Sequence, residues 1–99
     1  MTYTEVQKFL DRHVLQYMEE MRDGGYRRSE YAFHLSAFAT EEITKDMARA
    51  ICRSLTDRGY CFYMRGLWSE DGVPGGAGYG ITDKGAEYLE TLFAEDATR

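Results

Sequence analysis

The sequence has little proline, cysteine and histidine, and each shortage removes a class of protein. A single proline, Pro74, occurs in 99 residues, so proline interrupts no other part of the chain. Two cysteines, Cys52 and Cys61, are too few for a disulfide framework, and their spacing matches no zinc pattern. The histidines, His13 and His34, share no metal-binding spacing either. We therefore expect two buried thiols, no metal and no cofactor.

Long apolar runs are also missing. No stretch approaches the roughly 20 apolar residues that span a bilayer, and the first residues lack the basic-then-apolar layout of a signal peptide. We expect a cytoplasmic protein whose 99 residues form one domain. No nucleophile and base, and no pair of carboxylates, are fixed near one another by local geometry, which argues against an enzyme.

Positive charge is scarce as well. Twelve Lys and Arg face 17 Asp and Glu, for a net charge of −5. Because phosphate contacts supply much of the affinity of nucleic-acid binders, any such function must depend on local charge. The C-terminal part, residues 61–99, is the most acidic. Its carboxylates are Glu70, Asp71, Asp83, Glu87, Glu90, Glu95 and Asp96.

The first half of the chain has helical periodicity. Thr4 and Gln7 form a possible capping box for a first helix, which the glycines after Asp23 end. A shorter second helix is predicted over 29–38. A third helix begins after Thr44 and ends near residue 58. Its predicted buried side is Ala48, Ile51, Cys52 and Leu55.

From residue 60 the pattern becomes extended. Residues 60–68 are rich in aromatic side chains and predict a strand. The glycine-rich stretch that follows leads into Tyr79-Gly80-Ile81, a short second strand, and not directly into a helix as a phosphate-binding loop would. We therefore interpret 69–78 as a hairpin tip. Thr82 is positioned to cap a last helix, and 94–99 is a polar tail.

The order of these elements and two segments resemble the winged helix-turn-helix family. RSLTDRGYCFYM (53–64) is similar to the end of a recognition helix entering the first wing strand, and YGITDKGAEYLETL (79–92) to the second wing strand and terminal helix. The resemblance covers most of residues 4–93. It implies an α+β, mainly α fold with a three-helix core, a two-stranded wing and a C-terminal helix. It carries more weight for fold than for function.

In that family the third helix lies in the major groove of double-stranded DNA. The resemblance implies a sequence-specific transcriptional regulator whose third helix contacts DNA through Lys45, Arg49 and Arg53, with Thr44 beside them. Arginines before the second helix, Arg27 and Arg28, would add backbone contacts. Equal numbers of cations and carboxylates in residues 41–58 leave open that the stripe is an ordinary solvated helix face.

The alternative is a winged-helix module that binds a protein. An acidic wing with Trp68, Glu70 and Asp71 would suit an inhibitor whose carboxylates occupy the basic groove of a partner, as in the nucleic-acid mimics among anti-CRISPR proteins. The resemblance also implies a homodimer through the first and last helices, with Leu89, Leu92 and Phe93 in the contact. The alternative to a homodimer is that the last helix folds back and covers the strand within one chain.

Overall fold

The computed structural model describes residues 2–68 and 74–97. Three α-helices and one two-stranded antiparallel sheet follow one another along the chain, which makes the fold α+β and mainly helical. The elements are α1 (Tyr3–Met21), α2 (Lys45–Asp57), β1 (Cys61–Trp68), β2 (Pro74–Ile81) and α3 (Asp83–Ala97).

Most of the predicted elements are confirmed with close bounds. The Thr44 hydroxyl caps α2 by accepting from the Met47 amide at 3.1 Å, and the Thr82 hydroxyl caps α3 by accepting from the Gly85 amide at 2.9 Å. The cap of α1 differs, because Thr2 and not Thr4 accepts from the Glu5 amide. The buried side of α2 is the predicted one: Ala48, Ile51, Cys52 and Leu55.

The predicted second helix is wrong. Residues Arg28–Glu30 and Leu35–Ala37 form only single 3-10 turns. Between them Phe33 is extended and exchanges two backbone hydrogen bonds with Tyr79 of β2, at 2.8 and 2.9 Å. The Phe33 ring packs edge-on against Tyr17 of α1 and against Phe38. Pairing with β2 satisfies the backbone hydrogen bonds of Phe33, and the aromatic contacts bury its ring. These tertiary interactions outweigh the helical periodicity of the segment.

The second strand is longer than predicted. β2 begins at Pro74, so residues 74–78 of the predicted hairpin tip belong to the strand, while 69–73 lie outside the described residues. Gly80 faces the Tyr31 carbonyl and the Phe62 ring so closely that a Cβ would clash with both. Glycine thus permits the chain before α2 to lie against the hairpin. The last helix continues to Ala97, past the predicted start of the tail at 94.

The core lies between the three helices and one face of the hairpin. Its central side chains come from every helix and strand: Val14, Leu15, Met18, Phe38, Leu55, Cys61, Ile81 and Leu89. Because α2 and the hairpin both contribute to this core, the exposed flank of α2 is held beside the part of the core-facing side of the strands that carries Tyr63 and Tyr79. A concave surface results between them.

Candidate nucleic-acid interface

A groove of about 390 Å³ separates α2 from the hairpin. The 3-10 turn after Phe33 contributes to its lining. Its walls are formed by His34, Leu35, Ser36, Lys45, Arg49, Arg53, Tyr63, Ala77 and Tyr79. Among these described lining residues none is acidic, although the whole chain is. The groove is therefore a locally basic surface on an acidic protein.

The helical repeat places three cations in this groove. Lys45, Arg49 and Arg53 lie four residues apart and so form one stripe, beside the buried face that fixes the rotation of α2. The structure thus brings together the three residues predicted to form the stripe. Thr44 lies at the start of the same helix, where its hydroxyl oxygen accepts the capping hydrogen bond from Met47.

One of the three cations has a carboxylate partner. Arg49 Nη1 lies 2.7 Å from Asp46 Oδ1, and their side chains are 40% and 92% exposed. Such an exposed pair contributes at most about 1 kcal/mol to stability and is easily exchanged for another anion. Within residues 2–68 and 74–97, neither Lys45 nor Arg53 makes an ion pair. The stripe therefore retains positive charge for a ligand.

The hairpin supplies an aromatic wall. Tyr63 of β1 pairs with Tyr79 of β2 across the strands, and their rings meet edge-on with centroids 5.3 Å apart. Tyr79 is buried, whereas Tyr63 is 50% exposed. The Arg65 guanidinium lies 6.0 Å from the centroid of the Tyr63 ring. Tyr79 therefore supports the Tyr63 ring, and the exposed part of that ring lines the groove.

Sequence reasoning missed His34 and Tyr63 as members of this site. The only signal for Tyr63 was that both faces of its strand are apolar, which indicates a covered or functional second face. His34 had no signal, because it reaches the groove through the pairing of Phe33 with β2.

Arg27 and Arg28 do not join the stripe. Both line a different depression, next to Phe62. Successive strand residues point to opposite faces, so Phe62 and Tyr63 mark opposite sides of the hairpin. Arg28 is held by Glu19 at 2.8 Å and Asp83 at 3.0 Å, and these carboxylates, Glu19 foremost, raise its pKa.

Arg58, at the end of α2, is also turned away from the groove. Its two terminal nitrogens each donate to Asp11 of α1 at 2.9 Å. Asp11 is 1% exposed and accepts a third hydrogen bond from the Tyr88 hydroxyl of α3. The hydrogen bond to Asp11 is the main cause that raises the pKa of Arg58. This arginine joins three helices.

The residues predicted for a dimer contact lie mostly inside the chain. Leu89 and Leu92 are buried, and Phe93 is partly exposed with the Arg12 guanidinium 4.7 Å from its ring centroid. Within the chain, α3 packs mainly against α1, which contributes to this burial. A homodimer stays a prediction. Of the predicted protein-binding residues, Trp68 ends β1, while Glu70 and Asp71 lie outside the described residues.

The burial predicted for both thiols is confirmed. Cys52 and Cys61 are buried and unpaired, and burial raises the pKa of Cys52 to about 12. Over the described part of the chain, no three His, Cys, Asp or Glu side chains converge as metal ligands do. Nor does any helix in those ranges have the length and apolar character needed to cross a membrane.

No protein-family model, curated protein or solved structure matches this chain.

Proposed function

We propose that this protein is a DNA-binding regulator that contacts double-stranded DNA through α2 and the adjoining hairpin, in the manner of a winged helix. The observation that carries the proposal is the groove itself. Three cations and an exposed tyrosine line it, and no described carboxylate does, on a chain of net charge −5. Segregated positive charge of this kind is the electrostatic footprint of a phosphate-binding surface.

The three cations differ in what they offer to DNA. Arg53 is exposed and makes no ion pair with the described residues, so its fork is available for a guanine edge or for two phosphate oxygens. Arg49 gives up its ion pair with Asp46 when its guanidinium contacts DNA. Lys45 lies in the first turn of α2 as a mobile point charge suited to phosphate. Each of these contacts is lost independently when the residue is replaced.

Anisotropy of labelled duplexes, first selected from a random pool, tests the proposal. We expect Arg53→Ala to lower the affinity for selected duplexes by about 1–3 kcal/mol and to relax sequence preference. Lys45→Ala should weaken all duplexes alike and reduce the salt slope by about one. Arg27→Ala is the matched control, because Arg27 is an 87% exposed arginine on the other side of the hairpin.

Two results would contradict the proposal. The first is an unmodified protein that binds no duplex at low salt, where attraction to phosphate is strongest. The second is an equal loss of affinity for Arg27→Ala and Arg53→Ala, which would place the interface elsewhere.

A protein partner is the second candidate, and one observation favours it. Tyr3, Val6 and Met47 are exposed apolar side chains along the junction of α1 and α2, beside a depression of about 160 Å³. Exposed apolar patches mark interaction sites. For the acidic module described above, alanine at Glu70 and Asp71 would abolish partner binding, whereas Arg53→Ala would not.

A further inference from the structure

The groove is concave, and this shape bears on which form of DNA it binds. A volume of about 390 Å³ lies in the range of pockets that hold small molecules, roughly 300–1,000 Å³. A double helix reaches only the rim of a depression of that size with its phosphates, whereas a single nucleotide is small enough to enter it. The groove therefore suits a single nucleotide unit together with the phosphates on either side of it.

Charge on α2 favours the groove over the crest of the helix. Opposite the buried face, the crest carries Asp46, which is 92% exposed, and the exposed Asp57. Asp57 repels phosphates, and Asp46 is paired with Arg49 at 2.7 Å, while Lys45 and Arg53, which make no ion pair with the described residues, attract phosphates beside the hairpin. A phosphodiester backbone is thus drawn along the flank and past Tyr63.

Tyr63 offers a ring to a base. Tyr79 supports it edge-on at 5.3 Å and leaves half of the Tyr63 side chain exposed. Aromatic rings beside a basic groove are the means by which proteins hold unpaired bases, because every base has a stacking face. Inside a continuous duplex those faces are covered by neighbouring bases, and a base must leave the stack to be reached.

We propose that the groove binds one unpaired nucleotide, with its base stacked on Tyr63 and its phosphates held by Lys45, Arg49 and Arg53. The inference rests on the proposed DNA binding and narrows its substrate to DNA that contains an unpaired base. His34 and Ser36, which also line the groove, supply hydrogen-bonding groups to the same nucleotide.

Three labelled duplexes of one sequence test this: one continuous, one with a single bulged nucleotide, and one with an abasic bulge. The abasic bulge keeps the backbone and its flexibility but lacks the base. For the unmodified protein we expect the base-containing bulge to bind roughly 5- to 150-fold more tightly than the abasic one, the factor that one stacked base supplies.

Variants at Tyr63 identify the stacking side chain. Tyr63→Phe should keep the preference for the base-containing bulge, and Tyr63→Leu should lose it. Tyr26→Leu is the matched control, since Tyr26 is 51% exposed and does not line the groove. Thermal unfolding of each variant establishes that it is folded, and the comparison of bulges on the unmodified protein requires no variant.

The outcomes separate the two proposals. Equal affinity for all three duplexes, with loss of binding in Arg53→Ala, overturns the unpaired-base inference and leaves duplex binding in place. A Tyr63→Leu variant that weakens all three ligands by one factor also overturns it, because Tyr63 would then only shape the hairpin. If none of the ligands binds, both proposals fail together.

Discussion

At the scale of single residues, Asp11 is the most constrained charged group described. It is 1% exposed, and its carboxylate accepts two hydrogen bonds from Arg58 and one from Tyr88. The Tyr60 ring stacks on Tyr88 with centroids 4.2 Å apart. A buried charge is tolerated only when it is paired and hydrogen-bonded, as this one is.

Removing the Asp11 carboxylate should destabilise the protein strongly. Asp11→Ala leaves the Arg58 guanidinium without its partner, and breaking a buried pair in this way costs about 3–5 kcal/mol. Urea unfolding measures the change in the free energy of unfolding. The control is Asp46→Ala, which removes an exposed pair worth about 1 kcal/mol or less. Equal effects of the two substitutions would show that Asp11 is accessible to water.

The thiol of Cys52 should make stability depend on alkaline pH. Burial raises its pKa from 9.0 to about 12, so the folded chain keeps a proton that the unfolded chain releases. This contribution is complete below pH 9 and is lost as the pH rises through 9 towards 12. Urea midpoints at about pH 8 and about pH 10 should differ less in Cys52→Ala than in the unmodified protein. An unchanged difference would contradict the assignment.

At the scale of elements, close approaches of backbone decide how the pieces meet. Gly85, in the first turn of α3, lies against the Tyr60 carbonyl at the start of β1, and a Cβ there would clash with that oxygen. The same junction is tied by Thr82, whose hydroxyl donates to the Gly59 carbonyl at 2.7 Å and whose amide donates to the Tyr60 carbonyl at 3.1 Å. α3 therefore begins directly on the end of α2 and the start of β1.

Alanine at Gly85 should destabilise the fold despite its better helix propensity. A Gly→Ala change in a helix normally stabilises by roughly 0.5–1 kcal/mol, but the clash with the Tyr60 carbonyl should outweigh this with a net loss of about 1–3 kcal/mol. Gly24→Ala is the matched control, because its Cβ would meet open space. A Gly85→Ala variant with raised thermal stability would show that α3 can shift away from β1.

At the scale of the whole molecule, the arrangement of charge and apolar surface is the feature that bears on function. The groove gathers cations from α2, while α3 carries Glu87, Glu90 and Glu95 on its exposed side. The molecule is thus acidic on one side and basic in one depression. Most apolar side chains of α3 are buried within the chain. The exposed apolar residues of α1 therefore form a larger apolar surface than those of α3.

Leu89 should act in folding and not in dimer assembly. It is 5% exposed within one chain, so Leu89→Ala should lower the free energy of unfolding by about 2–5 kcal/mol. The urea midpoint of both proteins should not change with protein concentration. A midpoint that rises with concentration, together with a dimer by light scattering that Leu89→Ala abolishes, would restore the predicted dimer contact.

Features that depend on local periodicity and capping could be predicted from the order of residues along the chain. The buried side of α2, the stripe of Lys45, Arg49 and Arg53, and the cap at Thr82 were all predicted, because each is set by residues within one or two helical turns. The change from helix to strand after residue 59 was also predicted, because it too depends on the local pattern of residues.

Which of these features lie next to one another depends on contacts between residues that are distant in the sequence. Phe33 is extended because Tyr79, 46 positions later, completes its hydrogen bonds, and His34 enters the groove as a consequence. Arg28 is neutralised by Asp83, and Arg58 by Asp11, across separations of 55 and 47 residues. Pairings at such distances depend on how the elements pack around one core, and neither spacing nor composition along the chain contains that information.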